Sequence, residues 1–147
     1  MKKISIFIIV FLTLHSCTNN NSEILPCNLE VQNNITYNNG KKYSGTCNIF
    51  YNDSILWKTR TYKRGRETKE VSYYIVGGNI EYIGNKKNGK IHGDFVSYYT
   101  NGEISIQGKL KMGKYIGEWN YYDDDGSLNK ILNYSSEGDL IDSLNYK

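Results

Sequence analysis

Few side chains in this sequence carry obvious chemical potential, and several of those recur at a fixed spacing. His92 is the only histidine after residue 15. No second imidazole can join it at a metal ion, and no serine–histidine–carboxylate set stands out. It sits beside Gly93 in what reads as an exposed return loop. Asp123-Asp124-Asp125-Gly126 is acidic enough for calcium but lacks the alternating ligand spacing and the closing glutamate of a calcium loop, so it reads as a hairpin turn. Glu70, Asp94 and Glu118 stand 24 residues apart and predict an acidic ladder along one face. Paired carboxylates can cleave glycosidic bonds, yet any repeat places like residues in register, and the ladder reads as structural. The glycines follow turn positions and make no phosphate loop. No catalytic residue, metal ligand or cofactor is expected.

The N-terminus carries a different chemistry. Met1-Lys2-Lys3 precedes Ile4–Leu14, an uncharged, mostly apolar run. It is too short to span a hydrocarbon core, which needs about 20 helical residues, but suits a signal peptide. Leu14-His15-Ser16-Cys17 resembles the lipobox of bacterial lipoproteins. That resemblance implies removal of residues 1–16, acylation of the Cys17 thiol, and anchoring in the cell envelope. Thr18, where aspartate would resemble an inner-membrane retention signal, points to the outer membrane; periplasmic and surface faces both remain open. Residues 17–28 are expected to form the lipidated cysteine and a flexible tether. In an oxidising compartment Cys27 and Cys47 could form a disulfide joining the segment after the tether to the first repeat. The alternative makes Cys47 a small core residue.

Removal of the leader leaves 131 residues with a formal charge of +1, one domain without the strong basic excess of nucleic-acid binders. Nine cations between Lys58 and Lys90 face only Glu67, Glu70 and Glu81, whereas acids dominate after Gly113. Such asymmetry could orient a charged partner. Fourteen tyrosines and a single proline favour strands.

The elements that position these residues follow from an internal repeat. Gly93-Asp94-Phe95-Val96-Ser97-Tyr98-Tyr99-Thr100-Asn101-Gly102 aligns with the segments 24 residues before and after it, and with a further copy from Gly45. Gly65, Gly89, Gly113 and, after a one-residue insertion, Gly138 form a second column; Leu56, Ile80, Ile104 and Leu128 form a third. Each unit reads as a β-hairpin, with Asn101-Gly102 and Asp125-Gly126 at turns whose two central residues need positive φ. Units of about 41–64, 65–88, 89–112 and 113–137 lie within a repeat domain spanning 29–147, with half-units at Leu29–Gly40 and Leu140–Tyr146. Period-two alternation puts Cys47, Val71, Phe95 and Trp119 in one core column. Phe50, Tyr74, Tyr98 and Tyr122 form a second column on the opposite face. The predicted fold is all-β: an elongated antiparallel meander of 24-residue hairpin repeats.

The pattern Tyr-x-Gly-x-Trp-x-x-Tyr-x-x-x-Gly, with Gly89-Lys90 and Gly113-Lys114 at the returns, resembles the MORN repeat. It is similar to the bacterial variant in proteins named as YwqK-family antitoxins. The likeness covers about residues 41–138 and is specific for fold; the family name implies immunity against a secreted toxin. The repeat architecture and the missing catalytic sets favour a non-catalytic module, membrane-anchored as the lipobox resemblance implies, that binds another protein, a toxin or an envelope component, through its sheet. Tyr74, Tyr98, Tyr122 and Trp57 are the candidate binding surface. Immunity to a toxin, and stacking of those rings on cell-wall glycan, are the alternatives.

Overall fold

The computed structural model describes residues 23–146. The expected leader at residues 1–16 and the expected lipidation site Cys17 lie outside the described residues. Fourteen short elements follow, and all but one are strands. Strands β1 (Glu23–Leu25), β2 (Leu29–Gln32), β3 (Ile35–Asn38) and β4 (Lys41–Lys42) make a four-stranded sheet in chain order, with a 3-10 turn at Pro26–Asn28. Strands β5 (Gly45–Phe50), β6 (Leu56–Lys63), β7 (Arg66–Tyr73), β8 (Ile80–Lys87), β9 (Lys90–Tyr98), β10 (Ile104–Lys111), β11 (Lys114–Tyr122), β12 (Leu128–Tyr134) and β13 (Leu140–Asn145) make a nine-stranded antiparallel meander. The all-β, elongated hairpin meander read from the sequence is therefore the observed fold.

Two boundaries differ from the expectation. Residues 23–28 are not tether: β1 pairs with β2 through Glu23–Val31, Ile24–Glu30 and Leu25–Leu29. The segment Leu29–Gly40 is not a half-unit of the large sheet but the centre of the small one. Its turn residues Asn33 and Asn34 both hold positive φ, which asparagine tolerates better than most side chains. The small sheet docks where Gly65 leaves room. Thr36 N–H donates to the Gly65 carbonyl at 2.8 Å, and Gly65 N–H donates to the Tyr43 carbonyl at 2.6 Å. A Cβ on Gly65 would lie 2.5 Å from Ile35 Cγ2 and 2.8 Å from the Thr36 carbonyl oxygen. Beneath this junction Leu29, Cys47 and Tyr62 form a buried cluster flanked by Tyr43 and Ile49. Burial of Leu29 alone contributes about 2 kcal/mol.

The turns alternate in kind as far as β12, and the last return, Ser135–Asp139, is again a longer loop with only Gly138 at positive φ. At the return positions Arg64-Gly65, Asn88-Gly89 and Met112-Gly113 both residues have positive φ, the conformation of two-residue hairpin turns. The opposite turns are longer. Tyr99 N–H donates to the Glu103 carbonyl, and Asp123 N–H to that of Ser127. There only Gly102 and Gly126 take positive φ. Asn101 Oδ1 and Asp125 Oδ1 instead accept from the N–H two residues on, Glu103 at 3.0 Å and Ser127 at 2.8 Å. The expectation of two positive-φ residues at Asn101-Gly102 and Asp125-Gly126 is thus corrected. Their side chains cap a three-residue loop.

A shift inside the second repeat reassigns two columns. In β9 and β11 a positive-φ glycine, Gly93 or Gly117, lies in a bulge that gives the strand two residues more than its preceding partner. Parity survives an even insertion. The second repeat has Lys69 in that slot, and β7 gains only one residue, Thr68, between the Thr61–Lys69 and Tyr62–Glu67 pairs. An odd insertion reverses which side chains face which side. The cross-strand row consequently runs Cys47–Arg60–Glu70–Gly84–Phe95–Gly108. Glu70 stands where Val71 was expected. Val71 lies in the opposite row with Thr59, Ile83 and Val96. The lost residue returns in the next turn: Tyr74 N–H closes on Asn79, one residue further than Tyr99 on Glu103. Spacing of 24 is thereby kept outside the shifted stretch.

Candidate functional site

The core row is aromatic at one end and ionic at the other. Trp119, 1% exposed, lies flat on Gly108, where a Cβ would sit 2.4 Å from the indole. Its Nε1–H donates to the Lys109 carbonyl at 3.2 Å. Tyr115 stacks on it with centroids 4.0 Å apart, and Phe95 and then Tyr82 continue the row at 5.9 and 5.8 Å. Beyond Tyr82 comes Glu70. The Tyr82 hydroxyl donates to Glu70 Oε1, and Arg60 Nε donates to Oε2 at 2.8 Å. Lys86 lies 3.3 Å from Oε2 and Lys58 lies 3.7 Å from Oε1. Glu67 joins through Lys86 at 3.1 Å. No aligned hydrogen bond reaches Glu67 Oε1, so its partnership is purely ionic.

This cluster has a clear electrostatic signature. Burial alone would raise the Glu70 carboxyl. Hydrogen bonds from Tyr82 and Arg60, with the charges of Lys86 and Lys58, outweigh it and hold the group at about 2. Tyr82 moves the other way: burial, the hydrogen bond to Glu70 and that carboxylate's charge all push its phenol up. Burial beside Tyr134 and Tyr115 pushes Tyr121 up to about 12. A carboxylate ionised this firmly is suited to holding cations and poorly suited to donating or shuttling a proton.

The acidic ladder does not form. Glu70 is 4% exposed within its cluster, whereas Asp94 is exposed and only 3.5 Å from exposed Lys109, and Glu118 is exposed on β11. The parity reversal puts Glu70 on one face and Asp94 on the other. His92 also differs from the expectation: it lies within β9, half-buried, and its Nδ1 accepts from Met112 N–H at 3.3 Å. Among the described residues no three histidine, cysteine, aspartate or glutamate side chains gather to hold a metal ion.

The expected tyrosine column is regrouped. Tyr73, Tyr98 and Tyr122 are the true counterparts, opposite Ile80, Ile104 and Leu128. Tyr74 corresponds to Tyr99. Each reaches into the next unit: Tyr74 Oη donates to the Tyr98 carbonyl at 2.7 Å, and Tyr99 Oη to the Tyr122 carbonyl at 2.8 Å. Tyr74, Tyr98 and Tyr122 are all half-buried, and the Tyr74 and Tyr99 hydroxyls stitch repeats together. Trp57 is exposed, with Lys58 Nζ 4.5 Å from its ring, and shares a shallow depression with Tyr74. Cys27 and Cys47 are joined by a disulfide, and Cys47 is at the same time a core residue, 2% exposed.

Three features escaped the sequence reading. The first is a cavity of about 360 Å³ between the sheets. The second is a row of like charges: Lys63–Arg66, Lys87–Lys90 and Lys111–Lys114 stand directly opposite each other beside the return turns. The third is the open edge at β13, the strand expected as the trailing half-unit at Leu140–Tyr146, which among the described residues pairs only with β12. Every residue of β13 is exposed, including Leu140, Ile141 and Leu144, with Tyr146 just beyond. No family model, curated protein or solved structure matches the chain.

Proposed function

We propose that the protein is a lipid-anchored, non-catalytic interaction module of the cell envelope, which binds another protein by strand addition at β13. The open edge carries this reading. A strand paired on one side presents a row of unpaired N–H and C=O groups, and exposed apolar side chains on such an edge favour pairing with another chain. The other end of the large sheet differs: β5 is tied to the small sheet by the disulfide and the Leu29 cluster. One end is thus fastened toward the proposed anchor at Cys17 while the other is left open. A toxin or an envelope component are the partner classes the sequence suggests. Glycan stacking is less well supported, because the tyrosine rows are half-buried and the Tyr74 and Tyr99 hydroxyls are spent on backbone carbonyls.

The experiment is affinity capture from solubilised envelope with the intact lipoprotein as bait. A stoichiometric protein partner is expected. Capture should be lost with Ile141→Lys/Leu144→Lys and kept with Trp57→Ala. Recovery of no such partner, or equal recovery by the β13 variant, would remove the edge reading. Metabolic labelling with a fatty acid tests the anchor separately: label should enter the wild type and not Cys17→Ser.

A further inference from the structure

The cavity between the sheets has walls of mixed and specific chemistry. Its volume of about 360 Å³ falls in the range of small-molecule sites. Arg60 and Arg66 line it with Glu67, as do Asn34 from the small sheet and Asn88 from the large one. Val31 and Tyr62 supply apolar surface. Around it positive charge is in excess: Lys58, Arg60 and Lys86 outnumber Glu67 and Glu70 by one, and Arg66 adds another. Arg66 Nη1 reaches Asn88 Oδ1 at only 3.4 Å.

That excess selects an anion, and the guanidinium fork matches a planar carboxylate. Glu67 on the same wall works against a dianion such as phosphate, since two negative charges would meet one. The amides of Asn34 and Asn88 each offer a donor and an acceptor, the complement of a peptide unit. Val31 and Tyr62 suit a small apolar side chain. We infer that this cavity binds the carboxylate end of a short peptide, with Arg66 gripping the carboxylate. The site is separate from β13, and it stands whether or not that edge binds a partner.

The test is calorimetric titration of the whole protein with acetyl-Ala-Ala, its C-terminal amide and inorganic phosphate. Acetyl-Ala-Ala is expected to saturate a single site, with the amide and phosphate at least about tenfold weaker. Arg66→Ala should weaken the acid by about tenfold or more. Lys111→Ala, which removes an exposed cation beside another return turn, should leave binding unchanged. Both side chains are exposed, so both variants keep the fold. Absence of saturable binding, equal binding of acid and amide, tighter binding of phosphate, or indifference to Arg66→Ala would overturn the assignment.

Discussion

The Tyr82 hydroxyl donates to the Glu70 carboxylate, and through that bond the aromatic row of the sheet ends on an ion cluster. The Tyr82 ring packs 5.8 Å from Phe95, so one side chain belongs to both. The carboxylate it serves is surrounded by Arg60, Lys86 and Lys58, which fixes how the fold responds to acid and to substitution.

Glu70 is held at about 2 against an ordinary 4.5. The folded chain therefore binds this proton less readily than the unfolded one. The resulting stability is full above about 4.5 and is lost as pH falls toward about 2. The difference corresponds to roughly 3 kcal/mol. Glu70→Gln leaves Arg60, Lys86 and Lys58 with Glu67 as the one carboxylate of the cluster and should cost about 3 kcal/mol at pH 7. Urea midpoints from pH 6 to pH 2 check both statements. The wild type should lose its advantage over Glu70→Gln across that interval; parallel curves would show that the cluster is not the source.

Gly108→Ala tests the aromatic end. The added methyl would enter the Trp119 ring, and overpacking of this kind costs about 1–3 kcal/mol. Indole fluorescence should shift to longer wavelength as Trp119 is lifted from the sheet. Gly102→Ala meets no atom within 4 Å, and its penalty arises from backbone strain at φ 93° with no change in emission.

How much of this was legible can be judged at Glu70. The 24-residue period gave the hairpins, the turn columns and the meander, because hydrophobic alternation and glycine placement are local signals. The period concealed two changes that cancel: a bulge one residue short at Thr68 and a turn one residue long before Asn79. Lys69 in the glycine slot was the visible sign, and its consequence is the exchange of Val71 for Glu70 and of Tyr74 for Tyr73. The small sheet was beyond reach for another reason. Its turns are local, but its separation from the large sheet depends on docking at Gly65, a contact between segments about 30 residues apart.

The disulfide closes a 20-residue separation, for which chain entropy predicts about 3 kcal/mol of stabilisation. Cys27→Ser/Cys47→Ser should lower stability by that amount or more, since Cys47 is also buried. Equilibrium unfolding with and without reductant checks it. Reductant should move the wild type toward the variant and leave the variant unmoved.

The paired cations beside the return turns repel one another at close range. Like charges directly opposite in a sheet cost about 0.2–1 kcal/mol, and salt screens such exposed pairs. Lys87→Glu should raise stability by a few tenths of a kcal/mol and reduce the gain seen between low and high salt. A larger salt response in the variant would contradict the repulsion.

The Cys27–Cys47 bond also decides where mechanical load travels. If the chain is pulled from its N-terminal side, tension entering at Cys27 crosses the disulfide to Cys47 and passes directly into β5. The intervening loop, with the Gly65 contact and most of the small sheet, is shielded as long as the bond is intact. Force between an anchor and a partner on β13 would then act across the ladder of nine strands, peeling hairpins one after another. Reduction of a single bond would put the junction between the two sheets on the path of the load.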